Sequence, residues 1–486
     1  MGAPVAALSR NPLVEALLSA GRRSPGKAAV TRASGAMSFA ALDGLSAQLA
    51  HALRARGVAL GDRVVVQSPK APELLALAIA CARLGAMYTP LNTAYTDVEV
   101  AALVADAEPS LVVRAAGLAR WPCVDLAELL VDARGRGVTF DDAATDESTP
   151  AALVFTSGTT GRPKGAVLTQ GNLVFGCRTL NQVWEIDESD VLVHVLPLFH
   201  VHGLFVAAYC ALSSGATMRW LDGFALDEVL PALDGATLMM GVPTHYARLL
   251  ADERFTRESV ASLRVLISGS APMRRTTHEE FFERCGQVIL ERYGMTETGM
   301  ITSQPLRGER RMRSVGRALP GVEVRVEAPS GAVGEVLVRG PNVFAGYWRR
   351  PELRESAFTS DGFFRTGDRG VLDAEGRLDL VGRSKDLIIT GGLNVYPKEV
   401  ENALDELDGV VESAVVGVAD EDLGESVAAA VVAVDGFDPD RARSQLREVL
   451  APFKIPRRLV VVAELPRNAM GKVQRDRVRA LIDPRD

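Results

Sequence analysis

Short apolar runs alternate with longer helical stretches along the first 380 residues, and this alternation limits the possible folds more than any other feature. Residues 63–68, RVVVQS, have the composition of a strand, and residues 71–86, APELLALAIACARLGA, have the length of a helix. Three further short strands, at 237–243, 262–270 and 287–294, run into loops of Gly, Ser or Pro. Strands that alternate with helices predict parallel sheets with crossover helices. Ligands of such sheets bind at the carboxyl ends of the strands.

The pattern changes near residue 315 and again after Arg383. Residues 321–341 and 363–383 alternate polar and apolar positions around a PSG and a DAEG turn, which predicts two β-hairpins. The remaining residues contain a helix, a hairpin, a helix and a strand, which predict a compact α+β module. At 486 residues the chain is longer than one hydrophobic core supports, so we expect at least two domains.

Charge and cysteine content argue against several classes of protein. A formal net charge of -7, from 54 Lys and Arg against 61 Asp and Glu, argues against general nucleic-acid binding. The five cysteines are scattered and never form a CxxC pair, so the sequence predicts neither a disulfide framework nor a zinc site. The N-terminus lacks the apolar core of a secretory signal, and we expect a reducing, cytoplasmic compartment.

The most apolar stretch, residues 191–212, is long enough to span a membrane. A span would place His194, Pro197, His200 and His202 in hydrocarbon, which is costly. We therefore expect a buried strand, loop and helix here, and no membrane partner.

Residues 154–172, VFTSGTTGRPKGAVLTQGN, combine hydroxyls, glycines and a lysine. Such a loop brings hydroxyls and backbone N–H groups close to a polyphosphate, and Lys164 adds a positive charge. The loop does not match G-x-x-x-x-G-K-[ST], because Arg162 and Pro163 stand where that motif needs Lys and Ser or Thr. These residues alone leave two interpretations, a phosphate loop of another kind or a flexible surface loop.

Six further motifs follow the loop in order. They are LPLFHVHG (196–203), SGSAP (268–272), ERYGMTETG (291–299), RTGD (365–368), GRSKDLIITGGLNVYPKEVE (382–401) and LPRNAMGKVQR (465–475). With the loop, they resemble the signatures of the acyl-activating, adenylate-forming enzyme superfamily. The resemblance implies an α/β fold: a large N-terminal domain of α/β sheets with a β-rich portion, residues 1–384, and a small mobile α+β lid, residues 385–486.

The resemblance also implies an ATP-dependent acid–thiol ligase with two half-reactions. A carboxylate attacks the α-phosphate of Mg-ATP to give an acyl-adenylate and pyrophosphate, and the thiol of coenzyme A then displaces AMP. AMP leaves far more readily than a carboxylate oxygen, and the phosphate charge must be neutralised while the attacking and leaving oxygens are held in line. The expected ligands are ATP, Mg²⁺, coenzyme A and a small carboxylic acid.

By the same resemblance, seven loop residues hold the β- and γ-phosphates: Thr156, Ser157, Gly158, Thr159, Thr160, Gly161 and Lys164. Tyr293 is the expected adenine-stacking ring, Thr296 the hydroxyl at the α-phosphate, and Glu297 the Mg²⁺ carboxylate. Asp368 is expected at the ribose hydroxyls and Arg383 at ribose or phosphate. Taken singly, these are common core, turn and surface residues.

Three more motifs extend the implied site. The purine and the acyl group are expected to contact the backbone of Ser270, Ala271 and Pro272. Lys472 matches the lysine that the lid places over the α-phosphate during adenylation. Lys385 matches the hinge on which the lid turns for the second half-reaction, when Gly391 and Gly392 would line the path of the pantetheine arm. The alternatives are a solvated lysine in a basic tail and a plain loop lysine.

Two arginines underlie the prediction of which acid is activated. Arg248 in PTHYARLL and Arg292 before Tyr293 give the chain a similarity to the malonyl-CoA synthetase family. A guanidinium forks onto a second carboxylate, which a fatty or aromatic acid lacks. The alternatives are that Arg248 is a surface helix residue and that Arg292 pairs with a neighbouring Glu.

His200 and His202 are expected to wall the acyl pocket, with His200 at the position that gates catalysis. Their H-x-H spacing has no third metal ligand nearby, so we expect no metal there. Malonate and methylmalonate differ by one methyl group, and the sequence leaves both open. The remaining alternatives are a medium-chain acyl-CoA or aryl-CoA ligase, an adenylation module that loads a carrier protein, and a non-catalytic nucleotide-binding protein. We expect a monomer or weak dimer.

Overall fold

The computed structural model describes residues 11–115, 117–118, 120–156, 163–312, 314–391, 393–420, 422–468 and 471–483. Its strands are β1 (Ala28–Arg32), β2 (Gly35–Ser38), β3 (Arg63–Val66), β4 (Met87–Pro90), β5 (Leu111–Val113), β6 (Cys123–Val124), β7 (Pro150–Thr156), β8 (Lys164–Thr169), β9 (Val191–His194), β10 (Thr217–Trp220), β11 (Leu238–Gly241), β12 (Val265–Ser268), β13 (Leu290–Met295), β14 (Gly299–Ser303), β15 (Ser314–Ala318), β16 (Glu323–Glu327), β17 (Gly334–Arg339), β18 (Gly346–Tyr347), β19 (Phe364–Leu372), β20 (Arg377–Arg383), β21 (Ile388–Thr390), β22 (Leu393–Val395), β23 (Val410–Asp420), β24 (Gly424–Ala433) and β25 (Arg458–Val461).

The α-helices are α1 (Pro12–Arg23), α2 (Phe39–Ala55), α3 (Glu73–Leu84), α4 (Asp97–Ala107), α5 (Leu126–Arg134), α6 (Gln170–Trp184), α7 (Tyr209–Ser214), α8 (Leu226–Leu233), α9 (Pro243–Leu250), α10 (Arg275–Cys285), α11 (Leu353–Ala357), α12 (Pro397–Leu404), α13 (Pro439–Val449) and α14 (Arg475–Ile482). A π-helical stretch, His202–Ala208, precedes α7, and 3-10 turns occur at Glu258–Val260, Ser384–Asp386 and Pro452–Lys454.

The first sheet has the order β18-β8-β7-β4-β3-β5-β6. Strands β3 to β7 pair in parallel, as the alternation of strands and helices predicts, and α3 is the expected helix after β3. Strands β7 and β8 pair antiparallel and flank the predicted phosphate loop.

The second sheet joins a parallel half to an antiparallel half. Its order is β16-β17-β19-β20-β15-β14-β13-β12-β11-β9-β10-β1-β2. Strands β9 to β13 are parallel, whereas β13 to β17, β19 and β20 pair antiparallel. The two predicted hairpins, β16–β17 and β19–β20, are confirmed and form the β-rich portion.

A third sheet, β22-β21-β24-β23 with β25 beside β24, belongs to the C-terminal unit, the described residues from 385 to 483. Apolar residues on one face of β23 and β24 pack under α12 and α13, and those on the other face pack against α14. Val415 faces the first core, whereas Ala414 and Val416 face the second, as the period of a strand requires. The predicted boundary at Lys385 falls between β20 and β21.

Residues 191–212 are buried within the main core and form β9, a loop, the π-helical stretch and α7. The prediction of a strand, loop and helix is therefore confirmed. Among the described helices, none has the length and apolar character needed to cross a membrane.

Candidate active site

Strand β13 places two predicted site residues side by side on opposite faces. Leu290 and Glu291 pair in parallel with β12, whereas the strand from Arg292 to Met295 pairs antiparallel with β14. Strand β13 therefore joins the parallel half of the sheet to the antiparallel half, and ligands of parallel sheets bind at the carboxyl ends of the strands. Because successive side chains of a strand point to opposite faces, Arg292 and Tyr293 lie on different faces of β13.

Tyr293, Asp368 and Arg383 form one hydrogen-bonded chain, which we call the nucleotide side. The Tyr293 hydroxyl donates to Asp368 Oδ2 at 2.6 Å, and Arg383 Nε lies 2.9 Å from Asp368 Oδ1. Asp368 and Arg383 stand opposite each other in the β19–β20 register. Burial and the Asp368 carboxylate raise the pKa of Tyr293, so the phenol keeps its proton. The structure brings these three residues together, while their nucleotide contacts stay predictions.

Glu297 lies in the turn between β13 and β14, with Thr296 half-buried beside it. The Tyr347 hydroxyl donates to Glu297 Oε1 at 3.0 Å. Burial raises the pKa of the Glu297 carboxyl, although the charge of Arg383 opposes that rise. A cation beside this carboxylate would stabilise its ionised form, and Mg²⁺ prefers carboxylate and phosphate oxygens. Glu297 therefore fits the predicted magnesium role.

The structure describes the two ends of the predicted phosphate loop. Thr156 and Lys164 are opposite residues of β7 and β8, and the Thr156 hydroxyl donates to the Lys164 carbonyl at 3.3 Å. Lys164 Nζ lies 5.4 Å from the centroid of the Tyr347 ring, so Lys164 and Glu297 share one aromatic neighbour. No sequence motif indicated Tyr347. The loop residues outside the described ranges are Ser157, Gly158, Thr159, Thr160 and Gly161.

Arg292 carries a buried guanidinium, and we call the group formed by Arg292, His200, His202 and Ser270 the acyl side. The residue is 5% exposed, and its Nε and Nη2 have no hydrogen-bond partner among the described residues. The guanidinium lies against Gly269, where an added Cβ would stand 2.2 Å from Arg292 Cζ. Burial lowers the pKa of Arg292 to about 10, so the group is still charged at neutral pH.

The alternative that Arg292 pairs with a neighbouring Glu is wrong. Glu291 points to the other face of β13, where its Oε1 lies 2.9 Å from His278 Nε2. The Met273 backbone N–H donates to the other carboxylate oxygen of Glu291 at 3.3 Å. A buried charge without a partner destabilises the protein, so Arg292 is a candidate for binding an anion.

His200 and His202 border the acyl side. Burial, with the nearby charge of Arg292, lowers the pKa of His200 to about 4 and that of His202 well below its ordinary value. Both rings are therefore neutral at pH 7. The His202 backbone N–H donates to His200 Nδ1 at 3.2 Å, which leaves the His200 proton on Nε2 as a donor.

The SGSAP loop turns sharply between the two sides. Ser270 has a φ of +71°, a left-handed conformation that costs free energy for a residue other than glycine. This turn holds Ser270 Oγ 3.4 Å from His202 Nδ1. Ala271 is half-buried and Pro272 is exposed. The loop therefore lies beside His202, and its contacts with purine and with the acyl group stay predictions.

Arg248 has a different environment from Arg292. It is exposed on α9, its Cζ lies 4.9 Å from the centroid of the Phe224 ring, and its Nη1 donates to the Phe224 carbonyl at 3.2 Å. Phe224 stacks on His245, with ring centroids 4.2 Å apart. No contact between the two arginines occurs in the described part of the chain. The acid-binding role of Arg248 stays a prediction.

Lys472 approaches both sides from the C-terminal unit. The residue keeps solvent-accessible surface, yet the protein atoms around its ammonium group, together with Arg383, lower its pKa to about 8. Asp368 opposes that shift. The charge of Lys472 in turn contributes to the low pKa of His200. Lys472 is therefore within electrostatic range of Asp368 and Arg383 on the nucleotide side and of His200 on the acyl side.

The predicted hinge and thiol path lie at the start of the C-terminal unit. Lys385 is exposed in the 3-10 turn between β20 and β21. Gly391 has a φ of +55° in the turn between β21 and β22. Gly392 lies outside the described residues. Their roles in lid rotation and thiol binding stay predictions.

A cleft of about 460 Å³ opens beside the loop that carries His200, and no motif predicted it. Among its lining residues are Lys70, Asn92, Phe199, Asp222 and His245. Lys70 Nζ donates to the carbonyls of His194 and Leu221 at 2.8 and 2.5 Å, and burial lowers its pKa to about 7. The one feature of the sequence that could have indicated this cleft is that Lys70, Asn92 and Asp222 lie in loops that follow strands.

Among the described residues, no group of three or more His, Cys, Asp or Glu side chains forms a metal cluster. The free cysteines are Cys81, Cys123, Cys177, Cys210 and Cys285. In the H-x-H pair, the His200 ring accepts a hydrogen bond from the His202 backbone N–H, and the His202 ring lies within hydrogen-bond distance of the Ser270 hydroxyl.

Comparisons with known proteins cover nearly the whole chain. The model of the AMP-binding enzyme family matches residues 17–348, and that of the AMP-binding enzyme C-terminal domain matches residues 399–472. An indoleacetate–CoA ligase of Aromatoleum aromaticum is 38% identical over 94% of this chain and 96% of its own length. A malonate–CoA ligase of Mus musculus is 40% identical over 67% of this chain and 63% of its own length. The crystal structure of ATP-bound MatB from Rhodopseudomonas palustris is 42% identical, with a TM-score of 0.94 over 98% of this chain and 100% of its own.

Proposed function

The chain belongs to the AMP-binding enzyme family and is an AMP-forming acid–thiol ligase. We propose that the acid it activates is malonate. The reaction converts malonate, ATP and coenzyme A into malonyl-CoA, AMP and pyrophosphate. Methylmalonate is a second substrate of the same site, because one methyl group changes binding by only about 1 to 3 kcal/mol.

The single observation that supports malonate is the Arg292 guanidinium. It is buried and charged, and two of its nitrogens have no partner among the described residues. The free carboxylate of malonate supplies the missing charge and two oxygens for a forked pair of hydrogen bonds. A monocarboxylate would leave the guanidinium unpaired, so discrimination of order 10⁴ is attainable.

The neutral histidines suit the other end of the acid. His200 carries its proton on Nε2, from which it can donate to a carboxylate oxygen without adding a second full charge. Among the described residues of the acyl side, Arg292 is then the cation that can pair with the malonate carboxylate that does not react. The carboxylate that reacts would face Lys472, whose positive charge also lowers the pKa of His200.

The nucleotide side supports the first half-reaction. A malonate oxygen attacks the α-phosphorus, the bond to the bridging oxygen breaks, and pyrophosphate leaves. Protonated Lys472 stabilises the charge that develops on the attacked phosphate, and the Asp368 carboxylate orients the ribose through its hydroxyls. Mg²⁺ bound at Glu297 would neutralise the phosphates.

The second half-reaction needs a route for the thiol. The cleft lined by Lys70 and by Phe199, the residue before His200, is large enough for an extended chain. We place the pantetheine arm there, with Gly391 brought to its mouth when the C-terminal unit turns at Lys385. The thiolate then attacks the carbonyl carbon of malonyl-adenylate and AMP leaves.

A pyrophosphate-release screen tests the proposal. Malonate, methylmalonate, acetate, octanoate, benzoate and indoleacetate are each supplied with ATP, Mg²⁺ and coenzyme A, and reactions without acid serve as blanks. We expect release with malonate at least 100-fold above that with acetate or octanoate. A preference for indoleacetate or another monocarboxylate would refute the malonate proposal and favour the aryl-acid alternative.

A further inference from the structure

Two consecutive arginines of the large domain reach across to the C-terminal unit. Arg274 directly precedes α10, where its Nη1 donates to the Val411 carbonyl and its Nε lies 3.4 Å from Asp405 Oδ2. Arg275, the first residue of α10, has its Nε 3.5 Å from Glu406 Oε1. We call these contacts the arginine clasp.

The clasp is attached to the SGSAP loop. Arg274 comes two residues after Pro272, and the strained Ser270 that borders His202 lies in the same loop. The position of the loop that walls the acyl side and the position of the C-terminal unit are therefore linked through one short stretch of backbone.

The partners of the clasp are held firmly on the C-terminal unit. The Asp405 side chain is 12% exposed and accepts a hydrogen bond from the Ser413 hydroxyl at 2.7 Å. Burial raises the pKa of Asp405, and the charge of Arg274 opposes that rise. Arg274 thus stabilises the ionised form of a carboxylate that belongs to the other unit.

A second contact between the two units lies next to Lys472. Gly471 packs against Thr244 at the start of α9, where an added Cβ would stand 3.2 Å from Thr244 Oγ1. Two separated contacts, the clasp and Gly471, restrict rotation of the C-terminal unit more than either alone. In the orientation that they hold, Lys472 lies within electrostatic range of Asp368, Arg383 and His200.

We infer that Arg274 and Arg275 are positioning residues for the adenylation half-reaction, because the clasp holds the C-terminal unit where Lys472 meets the α-phosphate. The inference depends on the proposed function for its two half-reactions. Rotation at Lys385 for thioester formation would carry Asp405 and Glu406 away from α10. Loss of the clasp should therefore slow adenylation and spare the thiol step.

The test compares the half-reactions in Arg274→Ala, Arg275→Ala and the double variant. Acid-dependent pyrophosphate exchange reports adenylation, and thioester formation from supplied acyl-adenylate and coenzyme A reports the second step. The Arg275–Glu406 pair is exposed and the Arg274–Asp405 pair is partly buried, so their contributions are modest. We expect the double variant to lose about three- to tenfold in exchange, with thioester formation within about twofold of wild type. The KM for ATP should stay unchanged, because neither arginine contacts the nucleotide side.

Two matched controls separate this role from a general loss of surface charge. Arg457→Ala removes an ion pair with Asp420 that lies within the C-terminal unit, and Arg325→Ala removes one with Asp361 within the large domain. Both should leave the ratio of the half-reactions unchanged. The charge swap Arg275→Glu with Glu406→Arg should recover the exchange that Arg275→Glu alone loses.

Equal loss in both half-reactions, unchanged exchange in the double variant, or no recovery in the charge swap would each overturn the inference. The exchange assay uses whichever acid the wild type activates in the screen. Failure of malonate in the screen is therefore distinguishable from failure of the clasp.

Discussion

The nucleotide side and the acyl side use buried polar groups in opposite ways. On the nucleotide side, Tyr293, Asp368 and Arg383 are already bonded to one another. On the acyl side, nitrogens of Arg292 and His202 are buried without a partner among the described residues. A paired network holds its shape before any ligand arrives, whereas unpaired groups raise the free energy of the protein until a ligand satisfies them.

The two arrangements suit two different tasks. The paired network suits binding of the nucleotide, which every member of such a family shares, and the unpaired groups suit selection of one acid. A preorganised network loses little free energy when a nucleotide binds, so it suits a substrate common to many acids. An unsatisfied buried cation rejects every acid that does not neutralise it. Substrate choice therefore depends on the acyl side.

The largest expected effect is on acid selectivity. Arg292→Met should lower kcat/KM for malonate by about 10³-fold or more and shift preference toward monocarboxylates, because the forked ion pair is lost. Thermal unfolding should show equal or higher stability, because methionine replaces an unpaired buried charge. Arg248→Met is the matched control, and its effect on malonate should be at least tenfold smaller. A lower melting temperature with equal loss for every acid would contradict this role.

Lys472→Ala should lower acid-dependent pyrophosphate exchange by about 10²- to 10³-fold, because it removes a cation at the developing charge. Thioester formation from supplied acyl-adenylate should change little. The charge that Lys472 stabilises develops on the α-phosphate, which is the same for every acid. Exchange should therefore fall by the same factor for each acid that the enzyme accepts. An unchanged exchange rate would refute the role of Lys472.

On the nucleotide side, Tyr293→Phe should raise the KM for ATP by about three- to tenfold, because Asp368 loses one charge-assisted hydrogen bond while keeping Arg383. The KM for malonate should stay within about twofold of wild type. Tyr209→Phe, which changes a buried tyrosine of α7, is the control. A larger change for malonate than for ATP would break the distinction between the two sides.

The smallest expected effect is a pH dependence. The pKa of Lys472 is lowered to about 8, so the ammonium is protonated below that pH and loses its charge above it. The kcat/KM for adenylation should therefore fall above about pH 8, and Lys472→Arg, however slow, should lose that basic limb. The pKa of His200 lies near 4, so His200 should add no limb between pH 5 and 9. A basic limb that persists in Lys472→Arg would assign it to another group.

Much of the fold could be predicted because its signals are local. The strands ending near 243, 270 and 294, both hairpins and the central elements of the C-terminal unit, α12 to β25, follow from periodicity and turn residues. The short strands β21 and β22 and the final helix α14 were not predicted. The π-helical stretch at His202–Ala208 carries no local signal, since the packing of surrounding elements decides the hydrogen-bond pattern of a helix.

The candidate site was predicted less completely. Alternation along a strand already places Glu291 and Arg292 on opposite faces, so the sequence contained evidence against their pairing. Tyr347 and Lys70 belong to no motif, and only the meeting of distant strands brings them to Glu297 and to the cleft.

The sequence by itself indicated the type of reaction, because its short motifs, in their order along the chain, resemble those of the adenylate-forming enzymes. The tertiary structure alone decided which arginine is the substrate candidate. Arg292 and Arg248 are the same residue type in the sequence. In the structure, Arg292 is buried against Gly269, whereas Arg248 is exposed and lies over the Phe224 ring. Desolvation, which depends on everything that surrounds a charge, makes only the buried one require a partner.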